Sequence, residues 1–354
     1  MRSVIVVGAG QSGIAAAGAL LASGLRPVVL EAGQDTAGSW PRYYDSLRLF
    51  TPAHFNTLPG LPFPGDPERY PTRDEVADYL RARAAALDCA MHTGQRVVTV
   101  TRTAGGYLAR TEQGAEFTGA AVVAATGSFD SPHRPELPGL AGYTGTVLHA
   151  ADYHRPAPFA GQRVVVVGSG NSAVQIAVEL AEHARVSLAS RTPVRYATSE
   201  PVPGGSRFWS VLAAASRIPA GPLFGHGSVP VLDTGGYRAA IEAGRPDRRE
   251  LFTGARDSSL RWPTGDAEHV DTVILATGYR PALDYLRPLG VLDETGLPEQ
   301  RFGLSRTQRG LAYLGLEYQR TILSATLHGV GRDAGHIART LAARMTRAAR
   351  RPRY

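Results

Sequence analysis

No lysine occurs anywhere in the 354 residues, so all 38 side chains counted as basic are arginine. That excludes a Schiff-base lysine and a lysine general base. Cysteine is almost as scarce: Cys89 stands alone. A disulfide within the chain, a C-x-x-C redox pair and a cysteine-rich metal site are therefore excluded. His54, His328 and His336 lack the spacing of metal ligands. No stretch reaches the roughly 18 uninterrupted apolar residues that would span a bilayer. Low-complexity blocks are missing too, and a 43% hydrophobic, 19% charged chain has a globular composition. The net charge of +7 comes from scattered arginines, clustered only at Arg344, Arg347, Arg350, Arg351 and Arg353. A nucleic-acid footprint is a basic stripe on a recognisable module. None is present, and anionic cofactors account better for the positive balance.

What is present begins at the N-terminus. Arg2, an apolar run and small residues mimic a signal peptide. The run, however, is Val4-Ile5-Val6-Val7, followed by Gly8, Gly10 and Gly13 at G-x-G-x-x-G spacing and then by good helix formers over 14–22. Strand, glycine turn and helix make a pyrophosphate cradle. The first glycine permits the turn, the second lets phosphate approach the backbone, and the third lets helix and strand pack closely. The helix N-terminus faces the phosphates with free N–H groups. Glu31 closes the second strand where a carboxylate can accept hydrogen bonds from a ribose diol. The chain therefore reads as a cytoplasmic nucleotide-binding protein.

A proline- and aromatic-rich stretch, 41–71, follows; so long an irregular segment usually wraps a ligand. Thr72 and Glu75 form a capping box that predicts a helix over 73–86. Strands are predicted over 96–101, 107–110 and 120–125, the last ending in Thr126-Gly127. Proline-rich links at Pro132, Pro135 and Pro138, and at Pro156 and Pro158, precede a repeat of the opening. Val164 to Val167 is again a buried strand, and Gly168-Ser169-Gly170-Asn171-Ser172-Ala173 is again a glycine turn. Alanine is tolerated in the last glycine position. Two such units mean two dinucleotide sites. Where the first copy has Glu31, the second has Arg191 and Thr192. A carboxylate repels a ribose 2′-phosphate, whereas an arginine and a hydroxyl accept it. A strand over 270–276 ends in Thr277-Gly278-Tyr279. A C-terminal helix is predicted over 334–350, with Gly329, Gly331 and Gly335 marking a close approach and the helix N-terminus directed at a flavin ring. The region 200–261 carries no clear pattern.

These residues resemble the flavin-containing monooxygenases (class B flavoprotein monooxygenases), especially the short bacterial type, over essentially the whole chain. Tyr143 to Tyr153, with Gly145 and His149 between them, looks like the family fingerprint F-x-G-x-x-x-H-x-x-x-[YFW]. Ala276-Thr277-Gly278-Tyr279 looks like its A-T-G-[YF], and Ala37-Gly38-Ser39-Trp40 like its G-G-x-W. Tyr153 stands where Baeyer–Villiger members carry Trp, which favours heteroatom oxygenation over ketone insertion. Many members have an active-site Asn after the F-T strand; here Phe50-Thr51 is followed by Pro52.

The resemblance implies an α/β fold of two Rossmann-like domains. The FAD domain is split between 1–153 and 281–354, with an NADPH domain, 154–280, inserted. It implies FAD contacts at Gly8, Gly10, Gln11, Ser12, Gly13, Glu31, Ala32, Ser39, Trp40, Thr51, Val97, Thr126 and Gly127. NADPH contacts fall at Gly168, Ser169, Gly170, Asn171, Ser172, Arg191 and Thr192, and further cofactor contacts at Thr277, Gly278, Gln319 and Thr326. Reduced flavin would react with O2, and a C4a-hydroperoxyflavin would oxygenate a nitrogen, a sulfur or a ketone of a small molecule. No side chain is then required as nucleophile, and His149 reads as a structural hydrogen-bonding residue. The expected partners are the small-molecule substrate and O2, without nucleic acid or membrane span, and with room for a homodimer. Two other readings stay open: an NADPH oxidase or flavin reductase, and a nucleotide-sensing flavoprotein without turnover.

Overall fold

The computed structural model describes residues 2–223 and 230–349, so Arg350, Arg351 and Arg353 lie outside the described residues. Along the chain, β1 (Ser3–Val7), α1 (Gln11–Ala22) and β2 (Arg26–Leu30) lead into the irregular stretch. Then come α2 (Arg73–Ala85), β3 (Ala90–His92), a meander of β4 (Val97–Thr103), β5 (Gly106–Thr111) and β6 (Glu116–Gly119), and β7 (Ala121–Ala124). The second set is β8 (Thr146–His149), β9 (Arg163–Val167), α3 (Asn171–Leu180), β10 (Arg185–Ser190), α4 (Arg207–Ala215), α5 (Tyr237–Glu242), β11 (Asp247–Glu250), a meander of β12 (Gly254–Arg256), β13 (Ser259–Arg261) and β14 (Ala267–His269), and β15 (Thr272–Leu275). The chain closes with β16 (Gln300–Arg301), β17 (Leu304–Ser305), β18 (Leu311–Tyr313) and α6 (Leu327–Ala349).

The strands form two main sheets. One has the order β16-β17-β18-β7-β1-β2-β3, the other β11-β10-β9-β15-β8. The central strands, β1 and β9, pair in parallel on both sides and are apolar throughout apart from their first residues. That is what a strand covered by helices on both faces requires. The alanine-rich face of α1 packs with α6 over the first sheet in one buried cluster with Val4, Val6, Leu20, Ile337 and Leu341. Thr146–His149, although ahead of residue 153, pairs with β15 in the second sheet.

The capping box at α2 is formed as predicted, with the Thr72 hydroxyl accepting from Glu75 N–H and the Glu75 carboxylate accepting from Thr72 N–H. Two expectations change. The C-terminal helix begins at Leu327, well before residue 334, so Gly329 and Gly331 lie inside its first turns. A Cβ on Gly329 would stand 2.0 Å from the Leu323 carbonyl oxygen, and one on Gly331 2.7 Å from Pro59 Cδ. Glycine, a poor helix former, is used there for space and not as a break. Among its described residues, the unpatterned region 200–261 forms α4, α5 and β11 to β13. β11 reads Asp-Arg-Arg-Glu because it is a half-exposed edge strand, where charge is favoured over alternation.

Candidate cofactor and active site

The first cradle lies where β1 gives way to α1. Gly8 has φ of +102°, and a Cβ there would meet the Ala125 carbonyl oxygen at 2.6 Å. A Cβ on Gly13 would come within 1.8 Å of Gly8 O. Gly10 has only Gly38 Cα nearby, at 3.6 Å, so its outer side is open. No side chain caps α1, and its first turn carries no acid. The free N–H groups therefore have no internal anion to satisfy them, and a diphosphate fits. One oxygen of Glu31 is tied to this loop and the other to its own turn: Ala9 N–H donates to Oε2 at 2.5 Å and Gly33 N–H to Oε1 at 2.8 Å. Their remaining lone pairs are what a ribose diol would use.

Other first-site residues converge on the same sheet edge. Gly38 crosses Gly10, and Trp40, just beyond Ser39, packs against the cores of both sheets. Gln11 Nε2 donates to Ala325 O at 2.7 Å, tying the start of α1 to the turn before α6. Ser12 lies under Gly315, where a Cβ would meet its Oγ at 2.1 Å. The Thr326 hydroxyl closes the first turn of α6, accepting from Gly329 N–H and donating to Leu323 O. Gln319 is buried; its Oε1 accepts from Leu316 N–H, whereas its Nε2 has no partner among the described residues. Val97 opens β4, beyond the turn in which Gln95 N–H donates to Glu31 O. Ala32 follows Glu31 on the same rim. Thr51 is buried, and here sequence reasoning missed Asn56. Its amide donates to Thr51 O and Pro52 O, and its Oδ1 accepts from Thr51 Oγ1. That amide is fully committed to shaping the loop.

The second cradle repeats the first. Gly168 has φ of +152°, and a Cβ there would meet Ala276 O at 2.4 Å. Gly170 has nothing within 4 Å, and α3 again lacks both a capping side chain and an acid in its first turn. Ser169 is half-buried in this turn, Asn171 Oδ1 accepts from Leu232 N–H, and one turn into α3 Gln175 Oε1 accepts from the hydroxyl of Tyr44 in the irregular stretch, near Ser172. Arg191 and Thr192 follow β10 directly and are exposed. Among the described residues Arg191 makes no ion pair.

Between the sheets the chain crosses twice, side by side. His133 N–H donates to Gly278 O, Arg280 N–H to Ser131 O, and Ala282 N–H to Gly127 O. The hydroxyls of Thr126 and Thr277 donate to Ala282 O and His133 O. The fingerprint residues brace this neck. The Tyr143 ring covers Gly145, where a Cβ would fall 2.4 Å from the phenol oxygen. Tyr153 is fully buried and its hydroxyl donates to Glu179. His149 is also buried; Nδ1 accepts from Ala151 N–H and Nε2 donates to Gly278 O. Both ring nitrogens are occupied in one neutral tautomer. Burial, with Arg134 nearby, holds its pKa below the usual value.

Over the irregular stretch lies the segment around α4. Trp209 packs on Phe55, the Tyr70 hydroxyl donates to Val202 O, and Gly221 N–H donates to Arg320 O. Arg332 of α6 reaches Ser216 Oγ at 3.1 Å. The α4 part of the region that sequence could not place is therefore a roof held to the first sheet's elements, whereas β11 joins the second sheet. A cavity of about 520 Å³, lined by Thr144, Gln162, Ser258, His269 and Asp271, opens instead at the β15 start. Ligands of parallel sheets bind at the carboxyl ends of strands, so it is not the redox site.

The comparisons with known proteins agree with this geometry. Residues 5–202 match the family described as pyridine nucleotide-disulphide oxidoreductase. The chain belongs to that family. Its relatives there include flavin monooxygenases. An indole-3-pyruvate monooxygenase, YUCCA1 of Oryza sativa, is 32% identical over 95% of this chain and 90% of its own length. The uncharacterized oxidoreductase CzcO of Bacillus subtilis is 30% identical over 96% of this chain and 99% of its own. A flavin monooxygenase from Stenotrophomonas maltophilia superposes with a TM-score of 0.86 at 30% identity, covering 98% of this chain and 100% of that one. That structure is a double variant with adjacent glutamine and histidine replaced by arginine and threonine. The chain is thus a flavin-dependent oxidoreductase of the monooxygenase type, built as two Rossmann-like units, and FAD and NADPH are the cofactors of its family. Since it has one cysteine, the cysteine pair of the family's disulfide-reducing members is absent. Among the described residues, no helix is long and apolar enough to cross a membrane.

Proposed function

We propose that this flavin monooxygenase draws electrons from NADPH in the second cradle to FAD in the first, and oxygenates a nitrogen or sulfur of a small molecule. Bound FAD supplies the redox chemistry with the nicotinamide and O2. The protein's own residues hold and shield. The uncapped starts of α1 and α3 take the two diphosphates, and Glu31, already pinned by Ala9 and Gly33, receives the ribose diol of FAD. Arg191 and Thr192 take the 2′-phosphate. Trp40, at the junction of both cores, fixes one rim of the cleft, while the roof of Trp209, Phe55 and Tyr70 keeps water from it. His149, locked in a single tautomer, moves no proton. We assign the catalytic site to 154–280 meeting 1–153 and 281–354 at the neck.

The observation that carries the coenzyme reading is the contrast at the two second-strand ends: a carboxylate with both oxygens bonded in one, and in the other an exposed arginine that makes no ion pair among the described residues. The arginine–threonine pair introduced into the Stenotrophomonas protein has the same residue types in the same order as Arg191-Thr192, which supports this choice. The test mixes FAD-loaded protein, NADPH and O2 with a panel of tertiary amines, thioethers and cyclic ketones. The expected outcome is NADPH consumption matched by N-oxide or S-oxide. Hydrogen peroxide equal to NADPH consumed, with no oxygenated product across the panel, would replace this reading with an oxidase. Flavin that NADPH does not bleach would replace it with a nucleotide sensor.

A further inference from the structure

We propose that His133, with Arg280 beside it, is a second anion-holding element of the coenzyme cradle, donating to the pyrophosphate of the bound nicotinamide dinucleotide only when protonated. The inference rests on reading the second cradle as the coenzyme site.

The strand order β10-β9-β15 sets three carboxyl ends side by side, each about 4.8 Å from the next. Arg191 follows the first, Gly168 to Gly170 the second, and Ala276 to Arg280 the third. Segment 131–133 runs against the third. His133 N–H donates to Gly278 O at 2.9 Å, the Thr277 hydroxyl donates to His133 O at 2.5 Å, and Arg280 N–H donates to Ser131 O at 2.8 Å. His133 is therefore fixed by its backbone on one flank of the glycine turn, as Arg191 is on the other. The imidazole is half-buried, and among the described residues neither ring nitrogen has a hydrogen-bond partner.

The groups acting on His133 are nearly all cationic or neutral. Arg280, two residues beyond the Gly278 that His133 bonds, and Arg191, across the glycine turn, are within electrostatic reach of it, and neither makes an ion pair among the described residues. His149 lies beyond, at the end of β8. Next along the chain is Arg134, whose guanidinium bonds the Asp152 carboxylate at 2.6 Å. Cations gathered without a counter-ion around an open helix start create a positive potential that an anion relieves. Burial, Arg280 and Arg191 together hold the His133 pKa below its ordinary value, so the ring is neutral in the free enzyme at pH 7. A bound diphosphate reverses that balance and raises it. Protons are then taken up on binding. Affinity rises as pH falls through the bound-form pKa and levels off below the free-form pKa.

The 2′-phosphate of NADPH titrates itself near pH 6, so the clean probe is NAD⁺, whose pyrophosphate stays ionised. Calorimetry of NAD⁺ binding to the FAD-loaded enzyme, between about pH 5.5 and 8.5 and in buffers of different ionisation heat, gives both affinity and protons taken up. Expected is binding about three- to tenfold tighter at the acid end, the size of one charge-assisted contact at a half-exposed site, with a fraction of a proton absorbed. His133→Gln should flatten the profile and abolish proton uptake while keeping the alkaline affinity. His133→Arg should bind tightly at every pH. A His133→Gln enzyme with the wild-type slope and uptake overturns the proposal. Arg191→Ala tested with NADP⁺ separates the parent reading: unchanged NADP⁺ affinity there would show that the second cradle is not the coenzyme site, whatever His133 does.

Discussion

The two glycine cradles share a strand, a turn and an uncapped helix, yet they are finished differently. In the first, the acid at the end of β2 folds back and is bonded on both oxygens by Ala9 and Gly33. In the second, Arg191, just past β10, is exposed and makes no ion pair among the described residues. The first has its acid satisfied from within; the second leaves a charge for the ligand to neutralise. A tightly held prosthetic group suits the former, and a coenzyme that enters and leaves suits the latter. The packing of the glycines follows suit. Gly13 touches backbone, whereas its counterpart Ala173 already carries a methyl group.

The sharpest way to break this comparison is steric. Gly13→Ala would place a Cβ 1.8 Å from Gly8 O, with a cost of about 3 kcal/mol, the upper end for overpacking. Thermal melts and flavin content should show a destabilised protein that loses FAD. Gly170→Ala, with nothing within 4 Å, should leave both unchanged while weakening the coenzyme. Next is Arg191→Ala, which should lose about 1.5–3 kcal/mol of charge-assisted bonding to the 2′-phosphate. That is about ten- to a hundredfold in NADPH affinity, with NADH little affected; equal losses for both coenzymes would erase the asymmetry.

The smallest effect concerns the floor of the second sheet alone. There buried Arg163 holds Glu268 at 2.7 Å and 3.0 Å, and Arg249 and the Trp262 indole also donate to that carboxylate. These partners, Arg163 first, hold the Glu268 pKa below its usual value. A depressed carboxylate gives stability above its unfolded pKa, about 4.3, and loses it as pH falls through the folded value. Glu268→Gln should therefore cost about 1–2 kcal/mol at neutral pH, with the difference between the two proteins vanishing in acid denaturation curves. A constant difference across pH would show that the pair does not carry it.

Most of the scaffold was legible because β1, β9 and β15 are continuous apolar runs and both turns need glycine for backbone contacts that no other residue permits. The capping box at Thr72 was legible for the same reason: the chemistry is local. What escaped notice is set by distant partners. β11 has no apolar face because it lies at a sheet edge, and α4 is ordered largely by Phe55, Tyr70 and Arg332. The start of α6 was misplaced because Gly329 and Gly331 answer to Leu323 and Pro59, which lie outside the helix. Asn56 escaped because its role, bracing Thr51 and Pro52, is visible only once the loop is closed. His133 sat among linker prolines, and only the pairing of two crossings brings it to the rim of a cradle.

That pairing has a consequence for how such proteins are assembled. The segment leaving the first sheet and the segment returning to it are hydrogen-bonded neighbours, so the described residues between 134 and 277 join their host through this two-ply stem and, a second time, through the contacts of the α4 segment with Phe55, Arg320 and Arg332. Chain segments with adjoining ends can be lifted out and replaced with little disturbance to their host. On the proposed coenzyme assignment, the coenzyme-binding half can be exchanged as a cassette. A relative's counterpart could be spliced at Ser131 and Arg280, provided it brings surfaces to receive Tyr44 and Leu47, and the hybrid would inherit its electron donor from one parent and its oxidant chemistry from the other.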